Sequence, residues 1–112
     1  MLKKTMNIIS AEEQFQNEVL RPILKSQNEL LIAIFKTYIV RRKSTFDNYE
    51  KNDKLIYIDH TLKKDQRLRN LLLGIIIGQF SVEQYESYLP LDEELNRRTI
   101  TMIIKRLQSQ LV

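Results

Sequence analysis

The stretch Leu71-Leu72-Leu73-Gly74-Ile75-Ile76-Ile77-Gly78 is the most apolar run of the sequence and contains both of its glycines. Its apolar side chains cover well over half of a helical wheel, which predicts a central and largely buried helix. The glycines are four residues apart, so a second helix is able to approach the backbone on that side, at about 1 kcal/mol each in helix propensity. The run is too short for a bilayer, which takes about 20 apolar residues, and we expect no membrane partner.

The composition is that of an ordinary globular protein. Of the 112 residues, 43% are hydrophobic and 29% are charged, and this length suits one domain with a single core. Only two prolines and two glycines are available for turns, which disfavours an all-β fold. Because the chain has no cysteine, disulfides, thiolate metal sites and cysteine nucleophiles are excluded. No apolar segment of secretory length lies near the N-terminus, so we expect a cytoplasmic protein.

The N-terminal third is predicted as a loose arm over residues 1–9 followed by helix. Ser10 and Glu13 have the spacing of a capping box, which indicates a short helical turn. Proline is tolerated in a first helical turn, and Pro22 therefore predicts that the first long helix runs from about Val19 to Lys43.

The remaining chain is predicted to form a loop from Ser44 to Asn52 and to be helical after it. The expected bounds are about 53–64, 66–79, a short helix from Ser81 to Pro90, and a long helix from Asp92. Asp65, Ser81 and Asp92 are the predicted N-caps. No segment alternates with a period of two. The sequence therefore predicts one all-α domain over residues 1–112, a compact bundle of about five helices around a central buried helix.

Catalytic chemistry has little support in the sequence. His60 is the only histidine, and the position three residues before it, where a ferritin-like metal pair needs Glu, is Tyr57. No Gly-rich phosphate loop, nucleophile elbow or zincin motif is present. We expect no cofactor, no metal and no catalytic residue, and the sequence favours a protein that is not an enzyme.

Five polar residues lie on or beside helix faces that are predicted to be dry: Gln27, Asn28, Arg69, Asn70 and Asn96. Buried polar groups find partners or cost about 1–3 kcal/mol each. One interpretation is a hydrogen-bonding cluster that fixes the register of three helices. The other is a polar pocket of a small-molecule-binding or enzymatic bundle, which binds an anionic or amide-bearing ligand through Arg69.

Six basic residues near predicted helix ends form one patch if those ends lie side by side: Arg41, Arg42, Lys43, Lys63, Lys64 and Arg67. The net charge of +4 is compatible with a nucleic-acid partner, although charges of both signs are spread along the chain. A helix–turn–helix would place its recognition helix at residues 82–89, which carry Glu83 and Glu86 and no basic residue. Basic groups are also favourable at helix C-termini, so nucleic-acid binding ranks below the other interpretations.

Three stretches resemble a family of short bacterial helical proteins whose activity is uncharacterised: Leu20-Arg21-Pro22-Ile23-Leu24-Lys25-x-Gln27-Asn28-Glu29-Leu30-Leu31, Leu68-Arg69-Asn70 and Asn96-Arg97-Arg98. The resemblance covers about Phe15 to Leu111. Members sometimes carry a glyoxalase label, which implies a βαβββ fold with His and Glu metal ligands on strands. This sequence has neither a strand pattern nor enough histidines for that fold, so the resemblance supports the helical boundaries and implies no mechanism.

Two apolar helix faces are wider than one neighbouring helix covers. Residues 23–39 and 95–111 are each apolar over roughly 200° at 100° per residue, whereas a surface helix needs a stripe of a little over 100°. We therefore expect self-association, most simply as a homodimer. The favoured function is a small non-enzymatic helical interaction protein that self-associates, with an unidentified protein partner as a further option. A monomer whose short helices and N-terminal arm cover both faces is the competing interpretation.

Overall fold

A computed structural model describes residues 9–112, and the predicted arm over residues 1–9 lies outside this range except for Ile9. All regular secondary structure within residues 9–112 is helical, which confirms the all-α class. The α-helices are α1 (Ala11–Phe15), α2 (Arg21–Ser26), α3 (Asn28–Arg41), α4 (Lys51–Lys64), α5 (Gln66–Ile77), α6 (Val82–Tyr88) and α7 (Asp92–Leu111). A π-helical turn, Gln16–Leu20, joins α1 to α2, and 3₁₀ turns lie at Phe46–Asn48 and Leu89–Leu91.

The short helical turn predicted after Ser10 is present, and helical structure continues from Ala11 past the predicted start of the first long helix near Val19. The Ser10 side chain caps α1 by accepting a hydrogen bond from the Glu13 N–H at 3.0 Å. Pro22 lies inside this helical run, and the π-helical turn just before it accommodates the proline. There the Arg21 N–H donates to the Gln16 carbonyl, five residues earlier. Proline and π-turns are the usual causes of helix kinks, and here they occur together.

The end of α3 is a Schellman motif, which fixes where the C-terminal basic residues of this helix lie. The Ser44 N–H donates to the Ile39 carbonyl and the Lys43 N–H to the Val40 carbonyl, both at 3.0 Å. Lys43 takes the left-handed conformation this motif needs, with φ 53°. The following loop is anchored by Phe46, which is buried and packs edge-on against Phe35 at 6.0 Å between ring centroids.

Two of the three predicted N-caps are confirmed. Asp65 alone separates α4 from α5, and its Oδ1 accepts a hydrogen bond from the Leu68 N–H at 3.1 Å. Ser81 and Gln84 form a complete capping box at the start of α6. The prediction for Asp92 is wrong, since Leu91 is the N-cap residue of α7. The 3₁₀ turn around Pro90 leads directly into α7, so Asp92 is already helical, with φ −60° and ψ −40°.

The apolar stretch that opened the sequence analysis is buried on one side only. Leu72 and Ile76 are inaccessible, whereas Leu71 is 51% exposed. A side chain added at Gly74 would meet nothing within 4 Å, so no helix packs against that glycine. The broadest set of neighbours belongs instead to α7, which contacts α3, α4, α5 and the π-helical turn. The finer prediction, about five helices around residues 71–77, is therefore not confirmed.

Candidate functional site

The predicted polar residues lie in separate places. Asn28 forms a two-way amide pair with Gln110 of α7, with hydrogen bonds of 2.7 and 2.8 Å. Its oxygen also accepts from the Arg106 guanidinium at 3.2 Å. Asn96 accepts a 2.7 Å hydrogen bond from the Tyr88 hydroxyl. Asn28 thus links α3 to α7, while Asn96 links α6 to α7.

The other three residues of that set make no hydrogen bond to one another. Gln27 is half-buried and donates to the neighbouring Ser26 hydroxyl at 3.4 Å. Asn70 is exposed and accepts from Gln66, one turn earlier on α5, at 3.1 Å. Arg69 is half-buried. Among the side chains of residues 9–112, no hydrogen bond joins any two of the five predicted residues, so they are not one network.

A groove between α3 and α5 is lined in part by predicted residues. It has a volume of about 760 Å³. We call it the α3–α5 groove, and its lining comprises Leu30, Ala33, Ile34, Thr37, Tyr38, Arg41, Arg42, Asp65, Arg67, Leu68 and Leu71. Apolar side chains line most of its length, and charged side chains gather at the end formed by the C-terminus of α3 and the N-terminus of α5.

Three of the six predicted basic-patch residues come together at this charged end, namely Arg41, Arg42 and Arg67. Lys43, Lys63 and Lys64 are not among the residues that line the groove. Lys63 instead pairs with Asp59, one turn earlier on α4, at 3.1 Å. The two helix ends therefore do lie side by side, as the patch requires, although only for half of its residues.

Asp65 organises the charged end of the groove. Its Oδ2 accepts hydrogen bonds of 2.7 Å from both the Tyr38 hydroxyl and the Arg42 guanidinium, while its Oδ1 caps α5. The hydrogen bonds from Tyr38 and from the Leu68 N–H lower the pKa of Asp65, and the charge of Arg42 adds to this effect. Burial, together with the hydrogen bond to Asp65, raises the pKa of Tyr38 to about 12. The Arg42 guanidinium also lies over the Tyr38 ring, 4.8 Å from its centroid.

This arrangement anchors two helix ends and is not set up for proton transfer. Asp65 stays ionised and Tyr38 stays neutral near pH 7, and each is the other's hydrogen-bond partner. Within residues 9–112, no three histidine or carboxylate side chains gather closely enough to hold a metal ion. His60 is exposed on α4. The groove presents apolar side chains along its length and positive charge at one end.

None of the helices in the described range combines the length and hydropathy needed to cross a membrane.

The sequence analysis did not select four residues that define this groove: Leu30, Tyr38, Asp65 and Leu71. Asp65 was recognised as a helix cap, but Tyr38 precedes it by 27 residues and the pairing leaves no local signal. Leu30 and Leu71 were assigned to the core because they belong to apolar helix faces. The excess width of the α3 face was the one signal that pointed to an uncovered surface there.

No family model, no curated protein and no solved structure gives a significant match to this chain. The resemblance to short bacterial helical proteins therefore stays a prediction, and the function is argued from the geometry of the chain itself.

Proposed function

We propose that this protein is a small non-enzymatic helical protein that self-associates by docking the α3–α5 grooves of two copies. The observation that carries the proposal is the exposed apolar side of the groove. Leu30 is 47% exposed and Leu71 is 51% exposed, and both line the same concave surface. Concave apolar surfaces of this kind are where a partner removes most apolar area from water.

The second broad apolar face, on α7, has a different outcome. Its side chains Leu95, Ile100, Ile103, Ile104 and Leu107 are all buried within one chain. Within residues 9–112, the α7 face is thus covered by its own chain, whereas Leu30 on α3 is 47% exposed. A partner is therefore expected on the α3 face and not on the α7 face.

The groove is compatible with docking against its own copy. Ala33 lies near the middle of its lining on α3 and leaves room for a helix to approach. If α3 packs antiparallel on itself about residues 33 and 34, Glu29 of one copy lies opposite Tyr38 of the other, about one helical turn from Arg41 and Arg42. Opposite charges then meet at both ends of a twofold interface. In such a dimer α5 gains a neighbour on its open side, which gives it the central position expected from its sequence.

A second exposed apolar set competes with the groove. Val82, Tyr85 and Leu89 lie on one side of α6 and the turn after it, and they are 77%, 43% and 45% exposed. They lie on a helix of only seven residues and its following turn, whereas the groove is formed by two longer helices. We therefore place the interface on the groove and treat α6 as the competing outcome.

The experiment is light scattering of the purified protein from about 1 to 100 µM. The proposal expects a mass twice the 13.4 kDa of one chain, and a return toward 13.4 kDa in Leu30→Glu/Leu71→Glu. Ile56→Glu is the matched control, because Ile56 is 64% exposed on α4, outside the groove lining, and its substitution leaves the dimer intact. Circular dichroism verifies that each variant stays helical.

Two results oppose the proposal in different ways. A wild-type mass of 13.4 kDa at every concentration ends the self-association proposal. A dimer that Val82→Glu dissociates, while the groove variant leaves it intact, moves the interface to α6.

Nucleic-acid binding through the predicted basic patch is a second candidate, favoured by the convergence of Arg41, Arg42 and Arg67 on one groove end. It ranks lower because Asp65 pairs with Arg42 at 2.7 Å and neutralises part of that charge. Substitution of Arg41 and Arg67, the two arginines of this end that do not pair with Asp65, tests this candidate in the nucleic-acid experiment below.

A further inference from the structure

A second groove, separate from the α3–α5 groove, is lined by all four basic side chains of α7. It lies between α7 and the segment around the π-helical turn, and its volume is about 620 Å³. Five of its lining residues are cations: Arg21, Arg97, Arg98, Lys105 and Arg106. Gln16, Leu24, Thr101, Met102, Ser109 and Gln110 complete the lining, which contains no carboxylate. We call it the basic groove.

Neutral partners hold three of these arginines in place. Arg21 donates to the Asn17 side-chain oxygen at 3.0 Å, and Arg98 donates to the Gln16 oxygen at 2.9 Å. Arg106 donates to Asn28 at 3.2 Å. An amide oxygen orients a guanidinium without cancelling its charge. Arg21 and Arg106 therefore keep their full charge and have further N–H donors for a ligand, whereas Arg98 is also paired with Glu94 at 2.7 Å.

Carboxylates lie at one end of the groove, where Arg97 also lines a neighbouring pocket with Glu12, Asp92, Glu93 and Glu94. Glu94 accepts from Arg97 at 2.6 and 3.1 Å and from Arg98 at 2.7 Å. These hydrogen bonds lower the pKa of Glu94 to about 2, so it is ionised at any ordinary pH. Arg21, Lys105 and Arg106 have no acidic partner among the ion pairs of residues 9–112, so the positive charge of the groove is concentrated on these three side chains.

The π-helical turn and Pro22 build one wall of this groove. The extra residue in the turn places Gln16 against Arg98 and presents Arg21 at the first position of α2, next to the proline. π-turns are uncommon and occur often at functional sites. The π-helical turn and the start of α2 thus supply Arg21 to the groove, together with the Gln16 amide that orients Arg98.

The spacing of the cations fits a chain of phosphates. Arg97 and Arg98 precede Lys105 and Arg106 by eight residues, or about 12 Å along the helix axis. Along the axis of a duplex, each strand advances about 3.4 Å per phosphate. If α7 lies along that axis, the two pairs reach phosphates about three or four steps apart. The groove lining contains no aromatic side chain on which unpaired bases would stack. The amides of Asn28 and Gln110 are paired with each other and are not free to read base edges.

From these observations we infer that the basic groove binds the phosphate backbone of double-stranded nucleic acid, without reading its sequence. Arg21, Arg98, Lys105 and Arg106 contact the phosphates. This surface differs from the predicted patch at the helix ends, and the inference is independent of self-association through the α3–α5 groove.

Fluorescence anisotropy with a labelled 20-base-pair duplex tests the inference at several salt concentrations. We expect the affinity to fall steeply between 50 and 200 mM salt, because bound cations release counterions from the duplex. Arg21→Gln/Lys105→Gln removes two contacts and is expected to weaken binding about tenfold and to reduce the log–log salt slope by about 2. Both side chains are exposed, so the fold tolerates the change.

Lys36→Gln/Lys51→Gln is the matched control, since it removes the same net charge from exposed positions outside both grooves and is expected to leave binding nearly unchanged. Loss of binding in Arg41→Gln/Arg67→Gln but not in the groove variant overturns the inference in favour of the helix ends. Absence of binding at 50 mM salt overturns it as well. Tighter binding to a single strand of equal length overturns the assignment to a duplex.

Discussion

At the scale of single residues, the contact between Tyr38 and Asp65 is the most informative. The three donors that converge on Asp65 come from α3 and from the first turn of α5. Because the folded-state pKa of Asp65 is lowered, its contribution to stability is present above its ordinary value of 3.8 and is lost as the pH falls through the folded value. The pKa of Tyr38 is raised, so its contribution is present below 10.0 and is lost as the pH rises through about 12.

The first residue-scale prediction is that Tyr38→Phe lowers the free energy of unfolding by about 0.5–1.5 kcal/mol near pH 7, the usual net value of one hydrogen bond. The pKa of Asp65 should rise as well, because the hydrogen bond from Tyr38 lowers this pKa most and is lost in the variant. Urea denaturation and carboxyl-carbon NMR titration measure the two effects. Tyr85→Phe is the control, since Tyr85 is 43% exposed. An unchanged Asp65 pKa in Tyr38→Phe contradicts the assigned hydrogen bond.

Residue-level features were predictable where they depend on near neighbours in sequence. The caps formed by Asp65 and Ser81 follow from spacings of three residues, and both were found. The pairings of Asn28 with Gln110 and of Arg98 with Gln16 join residues 82 apart and leave no such trace. Asn28 and Asn96 are half-buried and have side-chain partners, and those partners depend on the tertiary fold.

At the scale of elements, helix type was easier to predict than helix ends. Pro22 was placed near a helix start because a regular α-helix does not tolerate it further in. The chain resolves this conflict with a π-helical turn, which period-based analysis does not detect. Likewise the apolar run of α5 was placed at the centre of the fold on hydrophobicity alone, although Leu71 faces the α3–α5 groove. Apolar content shows that an element is helical and partly buried, and does not show which partner covers each side.

The element-scale prediction concerns Gly74, in the middle of α5. A Cβ added there meets nothing within 4 Å, so Gly74→Ala should stabilise the protein by about 0.5–1 kcal/mol through helix propensity. Gly78→Ala should gain less, because its Cβ would lie 3.1 Å from the Gly74 carbonyl oxygen. Thermal unfolding at low protein concentration gives the comparison. A lower melting temperature for Gly74→Ala would mean that another chain packs on this side of α5.

At the scale of the whole molecule, the fold is a thin assembly of helices, and two grooves of different chemistry lie on its surface. Its smallest extent is 23 Å, about two helix diameters, so each long helix has an inner and an outer side. The inner sides meet in one core to which α3, α4, α5 and α7 all contribute. The outer sides then differ in chemistry. The α3–α5 groove is apolar with a basic end, and the basic groove beside α7 is polar and cationic.

The last prediction compares Ile76, on the inner side of α5, with Ile56, on the outer side of α4. Ile76→Asp should abolish the cooperative unfolding transition, because Ile76 is 1% exposed and a carboxylate there has no partner and no water. The penalty of several kcal/mol, added to the lost apolar burial, is comparable with the whole stability of a domain this small, about 5–15 kcal/mol. Ile56→Asp makes the same chemical change at a site that is 64% exposed, and it should shift the melting temperature by only a few degrees. Differential scanning calorimetry of the two variants separates the cases. A cooperative transition near the wild-type temperature in Ile76→Asp would show that the inner side of α5 does not belong to the core.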